Sequence, residues 1–451
     1  MKAHAILLAS FCCLLHEASG GTTRPNIIVI LTDDQGYGDV GIHKGPGIRT
    51  PHIDQLAAEG LLFTNMRSNA TVCSPSRAAL LTGRYPDQVG VPGVIRTDPE
   101  NSWGYLSPAV PTLAEILKRS GYRTALVGKW HLGLESPNTP NERGFDLFHG
   151  FLGDMMDSYT THLRDGVNFM RHNQEVICPA GHATDLFSDW AIEYLREREA
   201  SKDGPFFLYL AYNAPHFPIE PPAEWLRRVK DRAPDMDPKR AMNAAFIEHL
   251  DDGIGRVLAA LKETGLEDNT LVVFSSDNGG DLGHAQNNDP WRGGKQSHYD
   301  GGLRVPFIMR WPSHFAPGTR SEHRGLLFDV FATALDAAGV EKPPDSDARS
   351  LIPDSVDQAS YDSRDLYFVR REGGNPYFGG TYEALIRGDW KLLRNTPFEP
   401  YELYNLRLDP REERNVAGEN PALVKDLSAA VSAHVRRGGS TPWSIPQADA
   451  P

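Results

Sequence analysis

The chain has 451 residues, 40% hydrophobic and 23% charged, the balance of an ordinary globular protein with room for a large core. Its formal net charge of −13 excludes general binding to nucleic acid or anionic membranes, while still allowing a locally positive pocket for a small anion. Four cysteines in so long a chain exclude a disulfide-built scaffold.

The N-terminus carries Lys2, the apolar segment AILLASFCCLL, and then Ala18 and Gly20 at the minus-three and minus-one positions of a secretory cleavage site. The segment is shorter than the roughly 20 apolar residues needed to span a bilayer. Residues 1–20 are predicted to be a signal peptide, giving an exported product (periplasmic, secreted or lysosomal) with no membrane attachment after cleavage. Cleavage would remove Cys12 and Cys13 and leave Cys73 and Cys178.

Five apolar runs then read as buried strands: Ile27–Leu31, Thr124–Val127, Phe206–Leu210, Leu271–Phe274 and Val305–Met309. Continuous apolar runs separated by helical segments suit a parallel sheet covered on both faces. The helical segments are predicted at Ile53–Glu59, Pro75–Leu81, Pro111–Arg119, Ala183–Glu197 and Asn243–Glu263. In the last of these, Ala244, Ile247, Leu250, Ile254 and Val257 keep a helical spacing. The stretch Glu341–Ser355 is rich in proline and acidic residues and reads as a linker. Beyond it, EALIRGDWKLLRN and YELYNLRLDPREERN predict a small antiparallel sheet, followed by a helix near Pro421–Arg436. The predicted fold is α/β: a large, mostly parallel sheet sandwiched by helices over residues 21–345, with a smaller C-terminal antiparallel sheet plus helix over 346–451.

Two of the strands run directly into acidic residues, IIVIL into Asp33-Asp34 and LVVF through two serines into Asp277-Asn278. In open α/β sheets ligands sit beyond the carboxyl ends of the strands. Three carboxylates and an amide on one rim make an all-oxygen set for a hard cation, Ca²⁺ or Mg²⁺. Two other strands lead to Lys129 and His131 and to His216, and Lys295 precedes VPFIM. A metal ringed by fixed positive charge suits a multiply oxygenated anion such as sulfate or phosphate.

Cys73 opens a predicted helix, with Ser74 as its cap, Pro75 in its first turn and Gly83 at its end. Read alone, a thiol at the positive end of a helix is a low-pKa nucleophile. A soft thiolate beside a hard cation is a poor match, and an oxygen nucleophile suits the surroundings better.

The stretch Cys73-Ser74-Pro75-Ser76-Arg77, followed by AALLTGR, resembles the signature of the type I, formylglycine-dependent sulfatases. The ordered pieces RPNIIVILTDDQGYGD, GYRTALVGKWHLG, LVVFSSDNGG, RGGK with GGLRVPFIMRWP, and RGDWKLL with ELYNLRLDP carry the resemblance from about Arg24 to about Asn415. It implies an alkaline-phosphatase-like fold, and a cysteine oxidised to Cα-formylglycine by a formylglycine-generating enzyme that reads Pro75 and Arg77. It implies Ca²⁺ held by Asp33, Asp34, Asp277, Asn278 and the converted Cys73. Arg77 and Lys129 would stabilise the formylglycine hydrate, which supplies the oxygen nucleophile. His131 would be the base that collapses the sulfated hydrate, while His216 and Lys295 would bind the sulfate and the leaving oxygen.

The sequence departs from the family pattern at Asp300, where Glu is common, and at His52, where Asn is common. The segment Gly150–Gly166, with Asp157 and Ser158, lies where the family's substrate loop begins. His162, Arg164, His284, Trp291, Arg292 and His298 are further candidate substrate contacts. The implied function is an exported sulfatase acting on a sulfated small molecule or glycan, without nucleic-acid partners. The rivals are a phosphate or phosphonate monoester hydrolase on the same scaffold, and a non-catalytic sulfoglycan-binding protein. The sequon Asn69-Ala70-Thr71 stands beside Cys73.

Overall fold

The computed structural model describes residues 24–45, 47–352, 364–373 and 380–444. The predicted signal peptide and the end of the predicted linker lie outside the described residues.

The strands of the first part of the chain are β1 (Asn26–Thr32), β2 (Leu61–Arg67), β3 (Arg123–Lys129) and β4 (Leu147–Phe151). A short hairpin, β5 (Leu163–Arg164) with β6 (Val167–Asn168), precedes β7 (Met170–His172) and β8 (Glu175–Val176). Then come β9 (Phe206–Ala211), β10 (Thr270–Ser276), β11 (Phe307–Arg310) and β12 (Thr319–Leu326). All but the hairpin join one sheet in the order β12-β2-β11-β10-β1-β9-β3-β4-β7-β8. Its centre, β10-β1-β9-β3-β4, is parallel throughout.

β1 shows why the sheet needs two covers. Ile27, Val29 and Leu31 belong to one buried cluster and Ile28 and Ile30 to another. The first cluster takes its cover from α2 (Cys73–Thr82), α3 (Leu113–Arg119) and α8 (Asp329–Ala337); the second takes it from α1 (Pro51–Glu59), α4 (Ala183–Ser201) and α6 (Pro238–Glu263). Two more helices of this part are α5 (Ala223–Arg232), packed against α6, and the short α7 (Asp300–Leu303).

The structure corrects three local readings. Of the run Val305–Met309 only Phe307–Met309 lie in a strand, and that strand, β11, is antiparallel to both β10 and β2. The chain leaving β10 stays over the carboxyl end of the sheet and returns through α7, so it re-enters from the end it left. Ser74 is not a cap either: α2 starts at Cys73 after Val72, and the Ser74 hydroxyl accepts from the Ile95 amide at 3.0 Å instead. Asn243 does not begin its helix; α6 begins at Pro238, with Asp237 accepting from the Arg240 amide at 3.0 Å.

The small antiparallel sheet is β13 (Leu366–Arg371), β14 (Thr381–Arg387), β15 (Trp390–Arg394) and β16 (Glu402–Asn405), followed by the helix Pro421–Gly438. β13 was not foreseen, because LYFVRR follows a polar stretch and gives no alternation. Leu366, Phe368, Leu385 and Leu403 share one buried cluster with Leu80 and Phe331 of the larger part.

Candidate active site

β1 and β10 pair in register with Thr32 opposite Ser276, so the residues that follow each strand leave the sheet side by side. The Asp33 amide donates to the Ala214 carbonyl and the Asp277 amide to the Thr32 carbonyl, both at 3.1 Å. Asp34 (φ 66°) and His131 (φ 58°) adopt left-handed backbone, at a cost of about 1–3 kcal/mol each where no glycine relieves it.

Around this rim the buried charges interlock. Lys129 donates to Asp33, while Arg77 reaches Asp277 with Nη2 at 2.8 Å and with Nε at 3.0 Å. The same guanidinium lies 3.5 Å from Asp33. Lys295 Nζ donates to Asp34 Oδ2 at 2.6 Å, and Asn278 Nδ2 to Asp34 Oδ1 at 2.8 Å. The Cys73 thiol points at Asp33 Oδ1, 3.4 Å away. His216 donates from Nδ1 to the Phe217 carbonyl at 2.7 Å and turns Nε2 towards Asp34 Oδ2 at 3.6 Å. His131 commits Nε2 to the Ile95 carbonyl at 2.7 Å, which leaves Nδ1 as a buried acceptor without a hydrogen-bond partner.

These contacts set the protonation states. Burial alone would raise the Asp33 carboxyl, but the charges of Lys129, His216, Arg77 and Lys295 hold it well below the usual carboxylate range. Asp277 is pushed up to about 7 by burial and by the Asp33 charge beside it. Burial opposes the Lys295 charge, yet the Asp34 carboxylate keeps its pKa above the ordinary lysine value. Burial lowers both histidines, His131 further helped by Lys129 and Arg77, and His216 by Lys295 against the opposing pull of Asp34 and Asp33. The Cys73 thiol is raised well above its ordinary range by burial and by Asp33. At the start of α2, burial and then the adjacent carboxylate therefore outweigh the pull of the helix end on the Cys73 thiol.

The donor set fits a hard cation. Asp33, Asp34, Cys73 and His216 each offer a ligand atom within 4.8 Å of the others. Asn278 Oδ1 is buried beside them with no hydrogen-bond partner, and an amide oxygen and clustered carboxylates are the ligands Ca²⁺ takes.

A cleft of about 240 Å³ opens above Cys73, lined also by His131, His216 and Lys295. Of the predicted substrate contacts, Arg164 lines it, and Asp157 touches the cleft through an ion pair to Arg164 at 3.0 Å. His284 stacks on Phe217, a lining residue, at 4.7 Å. The others are engaged elsewhere. Ser158 bonds Thr160, and His162 bonds the Gly181 carbonyl at 3.0 Å. Trp291 lies under the Arg304 guanidinium, and Arg292 donates to the Glu412 carbonyl. His298 is fully buried, its amide donating to Asn395. Sequence reading did not single out Arg96, Phe217, Gln296 and Arg370 in the lining, and within the flagged segment Gly150–Gly166 it pointed to Asp157 and Ser158, where Asp154 and Met155 line the cleft. Arg370 sits on the unforeseen β13, and the rest lie on loops without a periodic signal.

Comparison with known proteins agrees with this arrangement. The model of the sulfatase family matches residues 25–340, and one described as N-sulphoglucosamine sulphohydrolase, C-terminal, matches 293–436. Rat N-acetylgalactosamine-6-sulfatase is 32% identical over 441 residues, 93% of this chain and 80% of its own length. Rat steryl-sulfatase is 29% identical over 551 residues, 96% of this chain and 92% of its own. The solved structure of Ps i-CgsB in complex with k-i-k-neocarrahexaose superposes with a TM-score of 0.84 at 31% identity, covering 94% of this chain and 95% of that one. The PsFucS1 sulfatase from Pseudoalteromonas sp. does so at 0.71 and 26%, covering 94% and 92%. Fold, aligned length and the shared family model lead to one conclusion: the chain belongs to the sulfatase family and is a sulfuric ester hydrolase.

Proposed function

We propose that this sulfatase removes sulfate esters from carbohydrates, with Cys73 converted to Cα-formylglycine and Ca²⁺ held between the ends of β1 and β10. The observation that carries this reading is the approach of Cys73 to Asp33, within 3.4 Å, at the centre of a buried ring of cations. The carbohydrate part is supported by a relative named for an N-acetylgalactosamine sulfate and by the neocarrahexaose complex of a solved neighbour. The N-terminal pattern supports export, and no helix among the described residues is long and apolar enough to cross a membrane. On the same reading, 21–345 is the catalytic unit and 346–451 the C-terminal unit.

Asp33, Asp34, Asp277 and Asn278 are the proposed ligands, with residue 73 as a further one. Bound there, Ca²⁺ would stabilise negative charge as a Lewis acid, and the converted side chain would supply an oxygen nucleophile. Lys129 and Arg77 hold Asp33 and Asp277 in place and offset charge at residue 73. His131 keeps its Nε2 proton on Ile95, which leaves Nδ1 to accept a proton from residue 73. Lys295 and His216 receive the anion from the open side, and the leaving oxygen takes its proton from one of them.

Protein made together with a formylglycine-generating enzyme tests this reading. Mass spectrometry of the peptide carrying Cys73 should show a species lighter than the thiol and reactive towards a hydrazide. The same protein should hydrolyse 4-nitrophenyl sulfate faster than 4-nitrophenyl phosphate and release sulfate from sulfated sugars. A faster phosphate ester would overturn the assignment of the site, and an alkylatable thiol with retained glycan binding would make the protein a binder.

A further inference from the structure

One wall of the cleft is cationic and plays no part in the proposed mechanism. Arg96 Nη2 donates to Glu372 Oε2 at 2.6 Å, and Arg370 Nε donates to Glu372 Oε1 at 2.9 Å. The Glu372 side chain is fully buried, and burial is outweighed by the two guanidiniums, which keep it ionised. Two guanidiniums on one carboxylate form a group of net positive charge, and both line the same cleft as Cys73 and Lys295. Elsewhere in the lining, Arg164 is surrounded by carboxylates: Asp154 at 3.2 Å, Asp157 at 3.0 Å and Asp165 at 3.5 Å. The cleft is therefore electrically lopsided. An anionic group on the substrate, other than the sulfate being cleaved, is drawn to the Arg96 wall and repelled from the Asp154 wall. Guanidinium is also the cation whose planar fork matches sulfate and carboxylate oxygens.

We infer that the substrate carries a second anionic group, sulfate or carboxylate, near the scissile sulfate, and that the Arg96–Glu372–Arg370 cluster binds it. The inference rests on the carbohydrate-sulfatase reading above and narrows it to multiply charged glycans. It gives the C-terminal sheet a share in specificity, because Arg370 comes from β13.

Competition against turnover of 4-nitrophenyl sulfate by the converted enzyme tests the inference. The competitors are N-acetylgalactosamine 6-sulfate, its 4,6-disulfate, and a uronate-linked disaccharide bearing one sulfate. A second anion should lower Ki by about tenfold or more, and the advantage should shrink as salt is raised. The disulfate and the uronate arms distinguish sulfate from carboxylate as the preferred second group. The Ki ratio between doubly and singly charged sugars should fall towards one in Arg96→Gln and recover partly in Arg96→Lys. A purely structural role for Arg96 would move every Ki together and leave the ratio unchanged, which overturns the inference. Equal Ki values in the wild-type enzyme overturn it as well, and leave the carbohydrate reading standing. If no sugar competes or is cleaved while 4-nitrophenyl sulfate turns over, the carbohydrate reading itself fails and the inference falls with it.

Discussion

At Cys73 burial and the Asp33 carboxylate push the thiol pKa up, so on the proposed reading the chemistry of this position depends on the oxygen group that conversion puts there. A serine there could be sulfated, but its ester has no second hydroxyl with which to expel sulfate. Cys73→Ser protein should release at most one 4-nitrophenol per site from 4-nitrophenyl sulfate and then stop, as read by rapid quench. Sustained turnover at the wild-type rate would refute the formylglycine mechanism. His298 presents a different residue-scale case. Its ring is fully buried with no hydrogen-bond partner on either nitrogen, and burial together with Lys391 and Arg370 lowers its pKa to about 3. A histidine lowered in the fold contributes stability that is complete above its unfolded pKa of about 6.5 and is lost as pH falls towards 3. The unfolding free energy from urea titration should therefore drop between pH 6.5 and 4, by up to about 1.4 kcal/mol per pH unit from this group, and His298→Phe should flatten that slope. The burial could not be read from the sequence. His298 stands in a loop between glycines, and only the small sheet closing over it removes it from solvent.

Among the elements, the path from strand to site is set by close backbone contact. Gly128 (φ 107°) lies one residue before Lys129, and a Cβ there would sit 2.0 Å from the Ala211 carbonyl of β9. Gly128→Ala should push β3 from β9 and displace Lys129, lowering kcat/KM for 4-nitrophenyl sulfate by about a hundredfold with a folded circular dichroism spectrum retained. A rate within twofold of wild type would show that the strand absorbs the methyl group elsewhere. The five long apolar runs and the acidic pairs that end two of them made the central sheet and its rim legible in the sequence. Strand direction at β11 was not legible, since VPFIM has the same apolar pattern whichever way it runs. β2 was missed because Asn65 and Arg67 interrupt its apolar run, and the two side chains meet at 3.1 Å. The start of α2 was misread by two residues, because its cap comes from no side chain.

For the whole molecule, the two sheets are joined by a buried ionic knot. Asp300 accepts from Arg67 at 2.6 Å, from Arg304 at 2.9 Å and from Lys391 of β15 at 2.8 Å, and Lys391 also meets Glu412 at 2.8 Å. Burial opposes the Asp300 charge, but the three cations hold its pKa well below the ordinary range. Asp300→Ala strands those cations without their partner and should cost about 3–5 kcal/mol in urea unfolding. A loss under 1 kcal/mol would mean that water enters the junction. Clustered carboxylates at the rim make a second global expectation: EGTA should lower the thermal midpoint, and excess Ca²⁺ should restore about 2.7 kcal/mol at a hundred times its Kd. An unchanged midpoint would remove the cation from the site. Every residue of α2, from Cys73 to Thr82, is buried, as is Asn69, whose side chain accepts from the Phe328 amide. On the proposed reading, an enzyme that recognises Pro75 and Arg77 meets them only on a chain that has not yet closed, and the same holds for any sugar transfer to the sequon. Maturation is then a race against folding: slow folding enriches the active form, while rapid folding seals in a stable but inert one that no later addition of the modifying enzyme can rescue.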